Sequence, residues 1–157
     1  MKFAALIVIF SVVAAAFERV SELEKRDWQK CIYDALDKFD QGNDGSDVAC
    51  DTYACIQSAG EKYSRGGLLN KGGSILVFGC KFNPFTSHHQ AAKVTDVEEE
   101  EWKQCMNSLL GEFEIGRDDR HTTCQFWRCL QTKSDRYNRG GIAEKLGHLV
   151  NIICIGA

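Results

Sequence analysis

The most reactive side chains are eight cysteines: Cys31, Cys50, Cys55 and Cys80, then Cys105, Cys124, Cys129 and Cys154. Thiols so placed could pair as disulfides, ligate a metal or act as nucleophiles. Zinc is poorly served, because no Cys-x2-Cys pair is present and His88-His89 lies outside both groups of four. An even cysteine count in an exported chain reads as a disulfide framework, since bridges persist in oxidising compartments. Each of the last four cysteines also stands 74 positions after its counterpart among the first four. Trp28 and Trp102 keep that offset, and sixteen of the 53 positions from Trp28 to Cys80 recur between Trp102 and Cys154 without a gap. A tandem duplication is the expected origin.

Other chemistry is sparse. A catalytic site needs a nucleophile, a base or a metal held in a cleft. The chain has no Gly-x-Ser-x-Gly, His-Glu-x-x-His, phosphate-loop or Cys-Cys-x-x-His-Asp motif. His121 corresponds to Asp47 and His148 to Ser74, so the two repeats share no histidine. The run Asp40 to Asp47, with Asp51 beyond it, has the flavour of a calcium loop, but Gly42 offers no ligand oxygen and a connecting turn explains the run better. No catalytic residue, cofactor or metal is expected. The shared Tyr-x-Arg-Gly-Gly, at Tyr63 to Gly67 and Tyr137 to Gly141, has two readings. One is a helix end where glycine turns the chain, arginine meets the last carbonyls and tyrosine packs beneath. The other is a pair of binding patches built on Tyr63, Arg65, Tyr137 and Arg139, engaging a partner bivalently.

Helices are expected to position these residues. Trp28, Cys31, Ile32, Ala35, Leu36 and Phe39 form one stripe at helical spacing, and Trp102, Cys105, Met106, Leu109, Leu110 and Phe113 repeat it. Thr95 or Asp96 caps the second stripe, with Glu98 to Glu101 at the positive end of the helix dipole. Gly42 to Gly45 and Gly116 break these helices; a second helix is expected over Ser46 to Tyr63 and a third apolar segment over Leu68 to Cys80 and Ile142 to Cys154. Two cysteines five apart on a helix face directions about 140° apart and cannot bridge each other. Cys31 lies twelve residues before Asn43 and Cys55 twelve after it, so an antiparallel hairpin sets them level. The predicted pairs are Cys31 with Cys55, Cys50 with Cys80, Cys105 with Cys129 and Cys124 with Cys154, with bridges between units left open. The fold class is all-α: two tandem three-helix, disulfide-stapled units.

The first 16 residues read as a signal peptide, with Lys2, an apolar run from Phe3 to Phe10 and a small-residue exit at Ala14 to Ala16. That stretch is shorter than the ~20 apolar residues of a membrane span, so no span is expected in the mature chain. Residues 17–26 end in Lys25-Arg26, which is either a dibasic processing site closing a propeptide or a solvated first helical turn. Unit 1 then covers 27–82, a linker 83–96 and unit 2 97–157. Cleavage after Arg26 removes four basic and three acidic residues, moving the formal net charge from −3 to −4. An acidic product has no electrostatic grip on phosphate backbones, so nucleic acid is not an expected partner.

These features favour a secreted, non-enzymatic effector that binds an extracellular protein or receptor, as pheromone-like, cytokine-like or venom-type ligands do. The alternative is a carrier of an apolar small molecule or lipid, with Trp28, Phe39, Trp102 and Phe113 lining its interior. A secreted hydrolase ranks third.

Overall fold

The computed structural model describes residues 20–65, 92–140 and 154–156, and these contain helices and turns but no strand. Four helices run in the order α1 (Glu22–Asp40), α2 (Gly45–Lys62), α3 (Asp96–Glu114) and α4 (Arg120–Arg136). The expected signal peptide, the third segments up to Cys154, His88-His89 and most of the linker lie outside the described residues.

Local chemistry explains where the helices start. Ser21 caps α1 by accepting the Glu24 amide at 3.1 Å, and Thr95 caps α3 by accepting the Glu98 amide at 3.2 Å. Asp119 does the same for α4 through the Thr122 amide at 2.9 Å. Each such cap satisfies an otherwise orphaned donor and stabilises by about 1 kcal/mol.

The first and third helices end on glycine in the left-handed region, Gly42 and Gly116, both at φ 79°. The Asn43 amide returns to the Lys38 carbonyl at 3.0 Å and the Arg117 amide to Glu112 at 2.9 Å, the closing bond of a Schellman cap. The second helix of each pair ends differently from expectation. The left-handed residue is Ser64 (φ 52°) after α2 and Asn138 (φ 51°) after α4, and neither is a glycine. The cap position falls directly after Tyr63 and Tyr137, two residues before the first glycine of Tyr-x-Arg-Gly-Gly. The Arg65 and Arg139 amides then close the caps onto Gly60 and Ser134, both at 2.9 Å.

Both predicted stripes are buried in full, together with Val48, Ala49, Tyr53 and Ile56 from α2 and Phe126, Trp127 and Leu130 from α4. Each large apolar side chain that leaves water contributes roughly 1.5–3 kcal/mol, against ~0–1 kcal/mol for an exposed ion pair, so this core dominates the stability. α1 packs on α2, α3 on α4, and α1 on α3.

Disulfides fasten the hairpins. Cys31 is bridged to Cys55 across α1 and α2, with Cα atoms 5.6 Å apart, and Cys105 to Cys129 across α3 and α4, with Cα atoms 5.7 Å apart. Cys124 joins α4 to Cys154, which is buried. Cys50 is also in a disulfide, and its expected partner Cys80 lies outside the described residues. Each bridge restricts the unfolded chain and stabilises by typically ~2–4 kcal/mol.

Candidate functional site

The two Tyr-x-Arg helix ends turn inward onto carboxylates. Arg65 grips Glu24 in a fork, Nε to Oε1 at 2.6 Å and Nη2 to Oε2 at 2.8 Å. Arg139 grips Glu98 in the same fork, with Nε to Oε1 at 2.6 Å, and also donates to the Ala92 carbonyl at 2.6 Å. The same glutamates accept from indole nitrogens, Trp28 to Glu24 and Trp102 to Glu98, both at 3.3 Å. Planar guanidinium and carboxylate match two bonds at once, which fixes orientation as well as charge.

Each fork lies over an aromatic ring of the other helix pair. The Arg65 guanidinium stands 5.1 Å from the Phe113 ring centre, and that of Arg139 stands 5.2 Å from Phe39. The side chains of Arg139 and Glu98 are each only 2 % exposed, against 15 % and 5 % for Arg65 and Glu24. Arginine was expected to meet the last carbonyls of its helix; it meets the first turn of the preceding helix instead, because a buried guanidinium needs a compensating charge.

The tyrosines make a parallel pair of contacts. Tyr63 donates to Asp27 at 2.6 Å, beside Lys62 at 2.6 Å from the same oxygen. Tyr137 donates to Glu101 at 2.9 Å, with Arg136 and Lys133 alongside. The Lys62 bond, then the Tyr63 bond, holds the Asp27 carboxyl below the usual carboxylate range. Arg136, then Tyr137, does the same for Glu101.

All four binding candidates therefore have partners within the chain: Arg65 with Glu24, Arg139 with Glu98, Tyr63 with Asp27 and Tyr137 with Glu101. The four acidic partners are the residues that motif reading missed. A signal for two of them was available, since Ser21-x-x-Glu24 and Thr95-x-x-Glu98 have the spacing of a capping box.

The seam between the helix pairs is built from exchanged contacts. Trp28 packs on Phe113 with ring centres 5.6 Å apart, and Phe39 on Trp102 at 5.8 Å. Adding 74 to one member of each pair and subtracting it from the other turns the first contact into the second. The same shift relates the Gln29–Asn107 hydrogen bond, 3.3 Å, to the Lys103 ammonium 5.0 Å over the Tyr33 ring. Because the amino end of each helix meets the carboxyl end of the other, α1 and α3 are antiparallel. Gly45, at the start of α2, lies so close to the Arg139 carbonyl that an added Cβ would stand 1.5 Å from its oxygen.

The remaining sequence candidates are dispersed. Lys25 and Arg26 lie in the first two turns of α1, where Lys25 pairs with Glu114 at 2.6 Å. In the Asp-rich turn, Asp40 accepts the Val94 amide at 3.2 Å and Asp51 pairs with Lys38. His121 lies against Gln125, 2.9 Å away. Among the described residues no group of three or more His, Cys, Asp or Glu could hold a metal, and no helix is long and apolar enough to cross a membrane.

Over its described residues the chain is thus all-helical and disulfide-stapled, with Tyr-x-Arg residues that tie one helix to the next. No protein-family model, curated protein or solved structure matches it.

Proposed function

We propose that this protein is a secreted, non-enzymatic effector that binds an extracellular protein or receptor, and that its two units are a tandem duplication packed about a pseudo-twofold axis. The duplication is supported by the exchanged contacts across the seam and by the helix bounds, α1 and α3 being offset by 74 residues at both ends. The disulfides suit an oxidising compartment outside the cell.

One observation carries the binding reading. The charged and phenolic groups of the two Tyr-x-Arg helix ends are engaged inside the chain, Arg65 with Glu24 and Tyr63 with Asp27, and in the second unit Arg139 with Glu98 and Tyr137 with Glu101. These shared groups act as ties between helices, which favours recognition by surface residues that differ between the units. This moves the expected recognition away from the arginines.

The test is saturable binding of the labelled, oxidised full chain to cells, competed by unlabelled protein and abolished by reduction. Absence of saturable binding on every cell type of the source, with turnover on an ester, peptide or phosphodiester panel, would overturn the reading in favour of a hydrolase.

A carrier of an apolar small molecule is a second reading, and one observation favours it. Among the described residues, the buried Tyr53 hydroxyl has no hydrogen-bond partner; its ring lies between the two units, beside Trp127. A buried hydroxyl left unpaired costs about 1–3 kcal/mol, and a ligand acceptor would relieve that cost. Native mass spectra of protein from the secreting tissue would carry the ligand mass.

A further inference from the structure

Lys25-Arg26 is the only place in the chain where two Lys or Arg residues adjoin, the pattern after which dibasic proteases cut. The Arg26–Asp27 bond lies inside α1, one turn beyond its first residue. Arg26 itself is exposed. A protease needs more than that side chain. It takes the residues on both sides of the scissile bond in extended form, which is why nicking falls on exposed loops. Extending a helical segment stretches it from ~1.5 to ~3.3 Å per residue and breaks its backbone bonds.

The residues around this bond are tied to both neighbouring helices. On the amino side, Arg65 grips Glu24 at 2.6 and 2.8 Å, and the side chain of Glu24 is only 5 % exposed. Lys25 Nζ sits 2.6 Å from the Glu114 carboxylate of α3, and the Lys25 amide donates to the Ser21 carbonyl at 3.0 Å. On the carboxyl side, Asp27 lies 2.6 Å from both the Tyr63 hydroxyl and the Lys62 ammonium. Trp28 is fully buried and packs on Phe113. Shortly beyond it, Cys31 is bridged to Cys55 of α2. Presenting the bond to a protease would draw Glu24 and Trp28 out of the interior and break the contacts with α2 and α3 together.

The second helix pair begins in the same way without the basic residues. Adding 74 converts Val20 to Val94, Ser21 to Thr95 and Glu24 to Glu98, and it converts Lys25-Arg26 to Glu99-Glu100. Ser21 and Thr95 cap their helices alike. The turn upstream of the basic pair is therefore part of the repeated unit, and a cut after Arg26 would fall within that unit. This equivalence rests on the duplication proposed above; the contacts around the pair do not.

We infer that folding closes Lys25-Arg26 to dibasic processing, so that Ser21 to Arg26 stay with the folded protein as the start of α1 and any cut must precede folding. Lys25 then acts as a tie between α1 and α3.

The test incubates the full chain with a dibasic-specific endoprotease and follows intact masses with time. The reduced, alkylated chain should be cut between Arg26 and Asp27, and the oxidised chain should stay whole. Arg65→Ala opens the Glu24 fork without touching the recognised residues. It should speed cutting of the oxidised chain roughly tenfold or more, because cutting follows the population of the locally opened form. Arg139→Ala loosens the fork that holds α3 and should speed it less. The inference is overturned if the oxidised chain is cut as fast as the reduced one. It is overturned equally if the reduced chain resists, since the local sequence would then suffice to protect the bond. Equal acceleration by Arg139→Ala and Arg65→Ala would also overturn it, because exposure would then come from unfolding of the whole chain. Cutting of the oxidised chain would leave the duplication standing.

Discussion

Tyr53 and Trp127, 74 positions apart in the sequence, pack against one another with ring centres 4.6 Å apart and planes tilted by 40°. The contact joins α2 of one helix pair to α4 of the other, as the proposed pseudo-twofold arrangement requires. Burial pushes the Tyr53 phenol upward, so it is a neutral hydroxyl at physiological pH. Tyr53→Phe should raise stability by about 1 kcal/mol in chemical denaturation, because it deletes an unpaired buried hydroxyl and keeps the ring. A loss of stability, or of a bound small molecule in native mass spectra, would instead mean that the hydroxyl has a partner in the native protein.

The two arginine forks should differ in their weight. Arg139→Ala leaves Glu98 buried and unpaired, at a cost of about 3–5 kcal/mol. Arg65→Ala exposes Glu24 to more solvent and should cost clearly less. Urea melts of the two variants compare them directly, and a double variant with Glu98→Gln should recover part of the Arg139→Ala loss.

The left-handed cap at Ser64 strains a residue with a Cβ. Ser64→Gly should therefore stabilise by about 1 kcal/mol. Asn138→Gly should gain less, because asparagine tolerates this conformation. Thermal melts read both.

Acid should weaken the helix ends in a definite window. Asp27 and Glu101 have carboxyls depressed by their cationic and phenolic partners. Their contribution is complete above the unfolded carboxylate values, near pH 4, and is lost as pH falls through the lower folded values. The denaturation midpoint should therefore fall below about pH 4, and Asp27→Asn with Glu101→Gln should flatten that fall.

Cleavage after Arg26 would detach Ser21, the cap of α1, and Glu24, the partner of Arg65 and Trp28. A chain beginning at Asp27 should melt well below one that keeps residues 17–26, by the loss of a cap and of a largely buried ion pair. Intact mass of the protein from its natural source, beside melts of both lengths, reads the processing and its cost.

Much of the fold was legible because it rests on local periodicity. The stripes ending at Phe39 and Phe113 declare their helices, since 3.6 residues per turn puts those side chains on one face. Glycine marks the stops at Gly42 and Gly116 by its freedom at positive φ. The level positions of Cys31 and Cys55 follow from counting outward from a turn, because antiparallel helices rise equally on both sides.

The tertiary structure alone decided where the polar groups go. Tyr-x-Arg-Gly-Gly reads as a glycine cap or a surface patch, and no local rule says that Arg65 will reach Glu24, 41 positions away. That choice depends on which helix lies alongside and on the need to neutralise a guanidinium over the ring of Phe113. The cap at Ser64 rather than at a glycine likewise follows from where α2 stops, which packing sets. Sequence alone determined the helices, their stops and the repeat, because those properties reside in adjacent residues. Which charges meet across the seam was decided by packing, because burial makes each unpaired charge too costly to leave where chain order put it.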